Sequence, residues 1–234
     1  MEPIEAVLRY PSRREDWAVT LLIGSALSLL SFLIIPGLAV AGYALAVIRE
    51  RAAGRVVPPA FEDWGRLLVD GLKVWVVALV YAIVPTLLAV IVLGSALASL
   101  ATNTNVGTVV GVFGLGLGGL LVFVVGLLFF YVLPASLAAM AVAGRFGAAF
   151  DVATVSGLVS SRGYAVPWLW GLGVLVVGSV VGGLIGAVPL VGWLVAAVVA
   201  FYVQVVLAAL WGTGYADAMT DRRLGGGVAA SDLV

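Results

Sequence analysis

The sequence predicts an all-α integral membrane protein, a bundle of about six transmembrane helices arranged in three hairpins. Composition is the first reason: 63% of the 234 residues are apolar, 10% are charged, and the mean hydropathy is +1.21, outside the range of globular domains in water. The second is the segment 74–144, 71 residues without a charged side chain. At about 1.5 Å of rise per residue, it crosses a hydrocarbon core about 30 Å thick and returns. Third, the charges lie only between and around the uncharged runs, which predicts one transmembrane domain over residues 1–218.

The residue types that are missing exclude several kinds of site. The chain has no cysteine and no histidine, so it has no disulfide framework, and the usual metal ligands and proton shuttle are absent. Twelve basic residues balance twelve acidic ones, so no affinity for nucleic acid is expected. We therefore expect no cofactor and no nucleic-acid partner. The many charges within the first 16 residues also predict that no cleavable signal peptide is present.

The first apolar run has a length between that of one span and that of two. Residues 3–10 are amphipathic and predict a short helix in the membrane interface, ended by Pro11. The uncharged run 17–48 that follows has 32 residues, too many for one span and few for two. Because arginines flank the run at both ends, the positive-inside rule places both ends on one side of the membrane. We predict spans 17–35 and 37–50, as a hairpin or a re-entrant pair; a single kinked helix fits the charges less well.

The second hairpin follows an amphipathic segment. Residues 58–73 place aromatic and leucine side chains opposite charged ones at helical spacing, which predicts a second interfacial helix. Spans 74–100 and 107–143 come next, separated by the polar run 102–105 and kinked at Pro85 and Pro134.

The third hairpin completes the predicted bundle. Charges between 145 and 162 mark a third interfacial helix, and spans 164–187 and 190–216 are separated near Pro189. Residues 219–234 contain three consecutive glycines and predict a disordered cytoplasmic tail. In this arrangement every charge lies on one side of the membrane. We assign that side, with both termini, to the cytoplasm, and the protein to the cytoplasmic membrane.

Several short motifs occur together along the chain: Glu62-Asp63-Trp64, Asp70-Gly71-Leu72-Lys73, Leu133-Pro134-Ala135, Gly144-Arg145, Ala149-Phe150-Asp151 and Gly214-Tyr215-Ala216-Asp217. With them, residues from about 10 to 218 resemble the archaeal multi-pass membrane family catalogued as domain of unknown function 4013. The resemblance implies an archaeal source and a cytoplasmic-membrane location. It implies no activity and supplies no catalytic residues.

The glycine-rich segment 114–119 has the spacing of a dinucleotide-binding fingerprint. An uncharged apolar run continues on both sides of it, whereas the fingerprint needs a preceding strand and a following acidic residue. Close helix packing in lipid is the better interpretation, and it extends to the pairs Gly107/Gly111, Gly114/Gly118, Gly178/Gly182 and Gly182/Gly186.

Polar residues at the ends of the predicted spans supply the candidate binding groups. We predict contact with anionic lipid headgroups for Arg55, Arg66, Lys73 and Arg145, although the same charges also set topology. Asp70 and Lys73 are interpreted as a solvated pair beside the third span. Asp16 and Asp63 each precede a tryptophan at a predicted helix start, which indicates N-caps. Gln204, within the last span, is interpreted as an interhelical hydrogen-bond donor.

The predicted function is non-enzymatic. Ion-coupled transporters and pumps need an intramembrane carboxylate, histidine or lysine, and a membrane enzyme needs clustered acids or nucleophiles at one depth; the predicted spans offer neither. We expect a protein that organises membrane lipid or a membrane partner, the partner being another membrane protein or a second copy of this chain. The alternative is an uncoupled transporter or channel for a small solute, which the proline-broken helices would suit.

Overall fold

The computed structural model describes the backbone of residues 4–231 and the side chains of residues 4–222. The described chain is helical, with short turns and without strands, so the all-α prediction is confirmed. Its α-helices are α1 (Ile4–Leu8), α2 (Trp17–Leu29), α3 (Ile34–Ala52), α4 (Trp64–Leu100), α5 (Asn105–Phe113), α6 (Gly119–Ala143), α7 (Val152–Val159), α8 (Arg162–Gly186) and α9 (Val191–Ser231). Two short 3-10 helices, Tyr10–Ser12 and Phe146–Phe150, and a π-helical segment, Gly114–Gly118, complete the described elements.

Four helical segments are long and apolar enough to cross a membrane: Trp64–Leu100, Asn105–Ala143, Arg162–Gly186 and Val191–Arg222. The prediction of several membrane-spanning helices is confirmed to that extent. Helix α2, with 13 residues, extends only about 20 Å and is shorter than a hydrocarbon core about 30 Å thick. Helix α3 has 19 residues and carries Arg49 and Arg51 in its last turn.

The turns between the apolar helices lie close to their predicted places, with one correction. The first turn occupies residues 30–33, earlier than the boundary at Pro36 that separates the predicted spans 17–35 and 37–50. Pro36 is instead the third residue of α3, where its missing N–H group has no intrahelical partner to lose. The second turn is confirmed: the Thr104 hydroxyl accepts a hydrogen bond of 3.0 Å from the Gly107 N–H group and caps α5. The third turn is also confirmed, at residues 187–190.

The separate interfacial helix predicted for 58–73 is wrong. Residues 58–63 are not helical, and Trp64 begins the same helix that continues to Leu100. The Asp63 carboxylate fixes this start, because it accepts the Arg66 N–H group at 3.0 Å as an N-cap does. The preceding segment packs on α3 instead: the Phe61 ring stacks on the Tyr43 ring, with centroids 4.2 Å apart.

The last helix extends into the segment 219–234, for which a disordered tail was predicted. Helix α9 continues to Ser231, and residues 232–234 lie outside the described residues. The helix has a reason to continue past Ala216. The Asp221 carboxylate accepts the Gly163 N–H group at 3.0 Å, which satisfies a free donor at the start of α8.

The chain divides into two compact units. The first comprises the part up to Trp75 together with the part from Ala135 onward. Within it, α9 packs on α8, α3 and α2, and residues 205–210 of α9 are buried. Helices α8 and α9 are antiparallel, because Gly178 packs on Val203 and Gly163 packs on Ala218.

The second unit, Val76–Pro134, is built from the rest of α4 and the helical run that follows the turn. A Cβ added to Gly111 or Gly118 would overlap a side chain of α4, Leu100 or Val92 respectively. The small-residue contacts predicted for this segment are therefore confirmed. The glycine-rich segment with the spacing of a dinucleotide-binding fingerprint forms the π-helical stretch between α5 and α6.

Candidate anion-binding site

The first unit contains a buried carboxylate surrounded by three cationic side chains. Asp70, the seventh residue of α4, is 5% exposed. Its Oδ2 atom lies 2.9 Å from Arg49 Nη2, and its Oδ1 atom lies 3.0 Å from Lys73 Nζ. Arg66 Nε is 3.8 Å from Oδ2, which makes an ion pair but not a hydrogen bond. We call these four residues the Asp70 cluster.

Helical spacing and one close helix contact bring the Asp70 cluster together. Arg66, Asp70 and Lys73 are four and three residues apart on α4, so they share one face of that helix. Arg49 reaches Asp70 from the last turn of α3 because the two helices touch at glycines. A Cβ at Gly42 would overlap the Leu67 carbonyl group, and a Cβ at Gly71 would overlap the Leu38 carbonyl group.

Arg49 also ties the cluster to α6. Its Nε atom donates a hydrogen bond of 3.0 Å to the carbonyl oxygen of Ala141, two residues before α6 ends at Ala143. The last carbonyl groups of a helix lack intrahelical partners and form the negative end of its dipole. One guanidinium group therefore satisfies a helix end and a carboxylate together, and it links α3, α4 and α6.

A cavity of about 310 Å³ lies against the Asp70 cluster. The three cations minus one carboxylate leave two net positive charges on its wall. The side chains of Arg66 and Lys73 are 60% and 36% exposed, against 7% for that of Asp70, so the cations are accessible while the anion is covered. The other lining residues are apolar or glycine: Leu45, Gly65, Val69, Met140, Gly144 and Phe146. Such a wall suits an anionic group that carries an apolar substituent.

The structure brings together two of the four basic residues predicted to contact lipid. Arg66 and Lys73 line the cavity, whereas Arg55 and Arg145 do not. The Arg55 side chain is 65% exposed and forms an ion pair with Glu50. Arg145 is exposed and precedes the 3-10 helix Phe146–Phe150.

The contacts of Arg49 with Asp70 and with α6 could not be predicted from the sequence. Arg49 was one of many arginines at the end of an apolar run, and its partners are 21 and 92 residues away. The Asp70–Lys73 pair was predicted and forms, but the Asp70 carboxylate is buried rather than solvated. Burial of a carboxylate among apolar residues requires cationic partners. From that requirement, a cationic partner for Asp70 could have been predicted.

The segment between α6 and α8 carries a carboxylate with a structural role, Asp151. It caps α7 by accepting the N–H groups of Ala153 and Thr154 at 3.1 and 3.2 Å. The hydrogen bonds from the backbone and side chain of Thr154 hold the pKa of the Asp151 carboxyl below its usual range, and the Arg145 charge contributes in the same direction. Arg145 is thus near enough to influence a structural carboxylate, and it is not among the residues that line the cavity.

Arg51, a buried cation outside the Asp70 cluster, has structural partners. Its guanidinium carbon lies 5.1 Å from the centroid of the Tyr10 ring, a cation–π distance. Its Nη2 atom is 3.0 Å from the Thr213 hydroxyl of α9. Burial raises the pKa of the Tyr10 hydroxyl above its usual range. This arginine joins the N-terminal segment to α3 and α9.

A different cavity, of about 350 Å³, lies between α8 and α9 and is mainly apolar. Ser179 and Gln204 are its polar lining residues. Among the described side chains, Gln204 forms no hydrogen bond across to α8, so its predicted role as an interhelical donor is not observed. Over the same residues, no group of three or more acidic, histidine or cysteine side chains is placed to hold a metal ion.

Sequence comparison identifies one family. Residues 27–187 match the sequence pattern of the family described as "Protein of unknown function (DUF4013)". The matched part begins in α2, ends just after α8, and contains all four residues of the Asp70 cluster. No match to this chain is found among the curated proteins or among the solved structures.

Proposed function

The chain belongs to DUF4013, a family of unknown function, and we propose that it is a non-enzymatic, multi-pass membrane protein that holds anionic lipid headgroups at one membrane surface. The observation that carries the proposal is the Asp70 cluster. Its two net positive charges and its accessible cations lie on a cavity whose remaining wall is apolar.

The chemistry of the cavity fits the region where a headgroup meets its acyl chains. Arg66 and Lys73 present N–H donors that Asp70 does not use, since a guanidinium carries five donors and an ammonium three. Leu45, Val69 and Met140 offer apolar contact to the part of a lipid acyl chain that lies next to the glycerol group. Each cation near a membrane surface contributes about 1 kcal/mol toward binding anionic lipid.

The proposed topology is six spans in three hairpins within the cytoplasmic membrane, with both termini and the Asp70 cluster on the cytoplasmic side. The turns at 30–33, 101–104 and 187–190 carry no charge, whereas the segments at the other helix ends carry all of them. The positive-inside rule then favours the cytoplasm for the charged ends. Helices α2 and α3, of 13 and 19 residues, form the shortest of the three hairpins.

The test is native mass spectrometry of the full chain in nanodiscs that contain phosphatidylcholine and phosphatidylglycerol. We expect the protein to retain phosphatidylglycerol selectively. The double variant Arg66→Gln/Lys73→Gln removes two charges from the cavity while the bonds of Arg49 to Asp70 and Ala141 remain. Loss of about 2 kcal/mol corresponds to about 30-fold weaker retention.

The matched control is Arg55→Gln/Arg145→Gln, which also removes two positive charges but from residues outside the cavity. This variant should retain the lipid as the unchanged protein does. Equal losses in the two double variants would show only a diffuse surface charge effect and would contradict the proposal. A protein that retains no anionic lipid would also contradict it, and would favour the alternative of a channel or uncoupled transporter.

A further inference from the structure

We infer that the cavity beside the Asp70 cluster prefers a phosphomonoester, with two negative charges, over a singly charged phosphodiester. This inference rests on the proposed function and names the class of anion that the same site binds. The supporting observations are the net charge of the wall, the number of unused donors and the apolar side of the cavity.

The net charge of the cavity wall favours a doubly charged anion. Arg49, Arg66 and Lys73 face one carboxylate, and no other lining residue is acidic. A phosphodiester would leave one of the two remaining positive charges without a counter-charge. A phosphomonoester carries a charge between about −1.5 and −2 at pH 7, since its second pKa is near 6, and so matches the wall.

Arg66 and Lys73 have N–H donors that Asp70 does not use. Lys73 gives one of its three N–H groups to Asp70, and Arg66 approaches Asp70 at 3.8 Å, too far for a hydrogen bond. A phosphomonoester offers three strong terminal acceptor oxygens, one more than a diester. The two exposed cations therefore have donors for all three oxygens, and the Arg49–Asp70 pair stays in place behind them.

The volume and the apolar lining of the cavity allow a carbon substituent on the phosphate. A cavity of about 310 Å³ is larger than a single phosphate group, and Phe146 and Met140 are among its apolar lining residues. The monoester's carbon substituent has a place there. The shared chemistry is that of an alkyl phosphate, which a phosphatidic-acid headgroup and free glycerol 3-phosphate both provide.

The pH dependence of binding gives an independent readout. The charged groups on the cavity wall are Arg49 from α3 and Arg66, Asp70 and Lys73 from α4, while the lining residues that follow in the chain, Met140, Gly144 and Phe146, are uncharged. The chain contains no histidine, the side chain that ordinarily titrates near neutral pH. A change in affinity between about pH 5.5 and about pH 7.5 therefore reports the second ionisation of the ligand's phosphate.

The experiment compares nanodiscs that contain equal fractions of phosphatidic acid or phosphatidylglycerol in phosphatidylcholine, by native mass spectrometry of the full chain. We expect phosphatidic acid to be retained about fivefold better at pH 7.5, as one additional charge pairing predicts. The preference should fall toward equality at pH 5.5. It should disappear in Arg66→Gln/Lys73→Gln and persist in Arg55→Gln/Arg145→Gln.

A second arm separates the two sources of the monoester. Glycerol 3-phosphate is titrated by calorimetry onto the protein in nanodiscs of phosphatidylcholine alone. Binding that Arg66→Gln/Lys73→Gln abolishes, and that matches the affinity for phosphatidic acid, would assign the site to a soluble phosphomonoester; much weaker binding would assign it to the lipid.

The outcomes also separate this inference from the proposed function. Equal retention of both lipids, lost in Arg66→Gln/Lys73→Gln, would overturn the monoester preference and leave the proposed function standing. A preference for phosphatidic acid that survives this double variant would overturn the assignment to the cavity. Retention of neither lipid would overturn both proposals.

Discussion

Acidic residues beside helix starts differ in what their carboxylates contact. Asp63 and Asp151 accept backbone N–H groups of the helices that follow them. Asp16 precedes α2 but makes no such bond, and its carboxylate pairs with Arg14 instead. The sequence predicted N-caps at Asp16 and Asp63 from the same Asp-Trp pattern. Only one forms, because a nearby arginine competes for the other carboxylate.

The capping difference predicts different costs of substitution. Asp151→Ala should lower the melting temperature by about 2–4 °C at neutral pH, the usual effect of losing an N-cap in a chain of this size. Asp16→Ala should have a smaller effect, because an exposed ion pair contributes little. Circular dichroism of the purified protein in detergent measures both.

The pH dependence of the Asp151 effect has a definite sign. The pKa of the Asp151 carboxyl is lowered in the folded protein from its ordinary value of 3.8. Its stabilising contribution is therefore fully present above that value and is lost as the pH falls through the lowered folded pKa. The melting temperatures of Asp151→Ala and the unchanged protein should converge only in that acidic range. Convergence near pH 6 would contradict the capping role.

At the scale of helices, close approach at glycine determines whether the Asp70 cluster forms. Gly71 lies against the backbone of Leu38 in α3, next to Asp70 in the sequence. We expect Gly71→Ala to push α3 and α4 apart and to destabilise the fold by about 1–3 kcal/mol, the usual cost of overpacking. The same change should weaken lipid retention, because Arg49 would lose its 2.9 Å contact with Asp70.

The matched control for this change is Gly173→Ala in α8. A Cβ at Gly173 would meet no atom within 4 Å, and alanine is the better helix former, so the melting temperature should stay equal or rise. Thermal unfolding followed by circular dichroism compares the two variants. If Gly71→Ala melts like Gly173→Ala, the close helix contact does not carry the energy assigned to it here.

The limits of the uncharged runs predicted several helix ends, whereas the charges before residue 74 gave the wrong start for α4. The end of α4 at Leu100 and the end of α6 at Ala143 agree with the predicted spans. The start of α4 does not, because charges up to Lys73 were interpreted as a separate element although nothing in 64–75 breaks the backbone helix. The contacts of Arg49 were beyond the sequence for a different reason. They depend on how α3, α4 and α6 pack, and the sequence alone does not distinguish Arg49 from the other arginines that flank the apolar runs.

At the scale of the whole molecule, the one-sided distribution of charge predicts which turns lie on which side of the membrane. The chain has no cysteine, so single cysteines report their own accessibility without background. With membrane-impermeant maleimide on intact and on lysed cells, Arg55→Cys and Arg145→Cys should be labelled only after lysis. Asn103→Cys and Leu190→Cys should be labelled in intact cells. Labelling of Asn103→Cys from the same side as Arg55→Cys would contradict the six-span topology.

The same labelling experiment distinguishes the alternatives for the first hairpin. Ser31 is exposed and lies in the turn between α2 and α3. If α2 and α3 cross the membrane fully, Ser31→Cys should react in intact cells, as Asn103→Cys does. If they form a re-entrant pair, Ser31→Cys should react from neither side, because its turn would end within the hydrocarbon core. The proposed six-span topology predicts reaction in intact cells. Since α2 has only 13 residues, about 20 Å of helix against a core of about 30 Å, that result also requires the bilayer to thin around this hairpin. Reaction from neither side would reduce the topology to four full spans and one re-entrant pair.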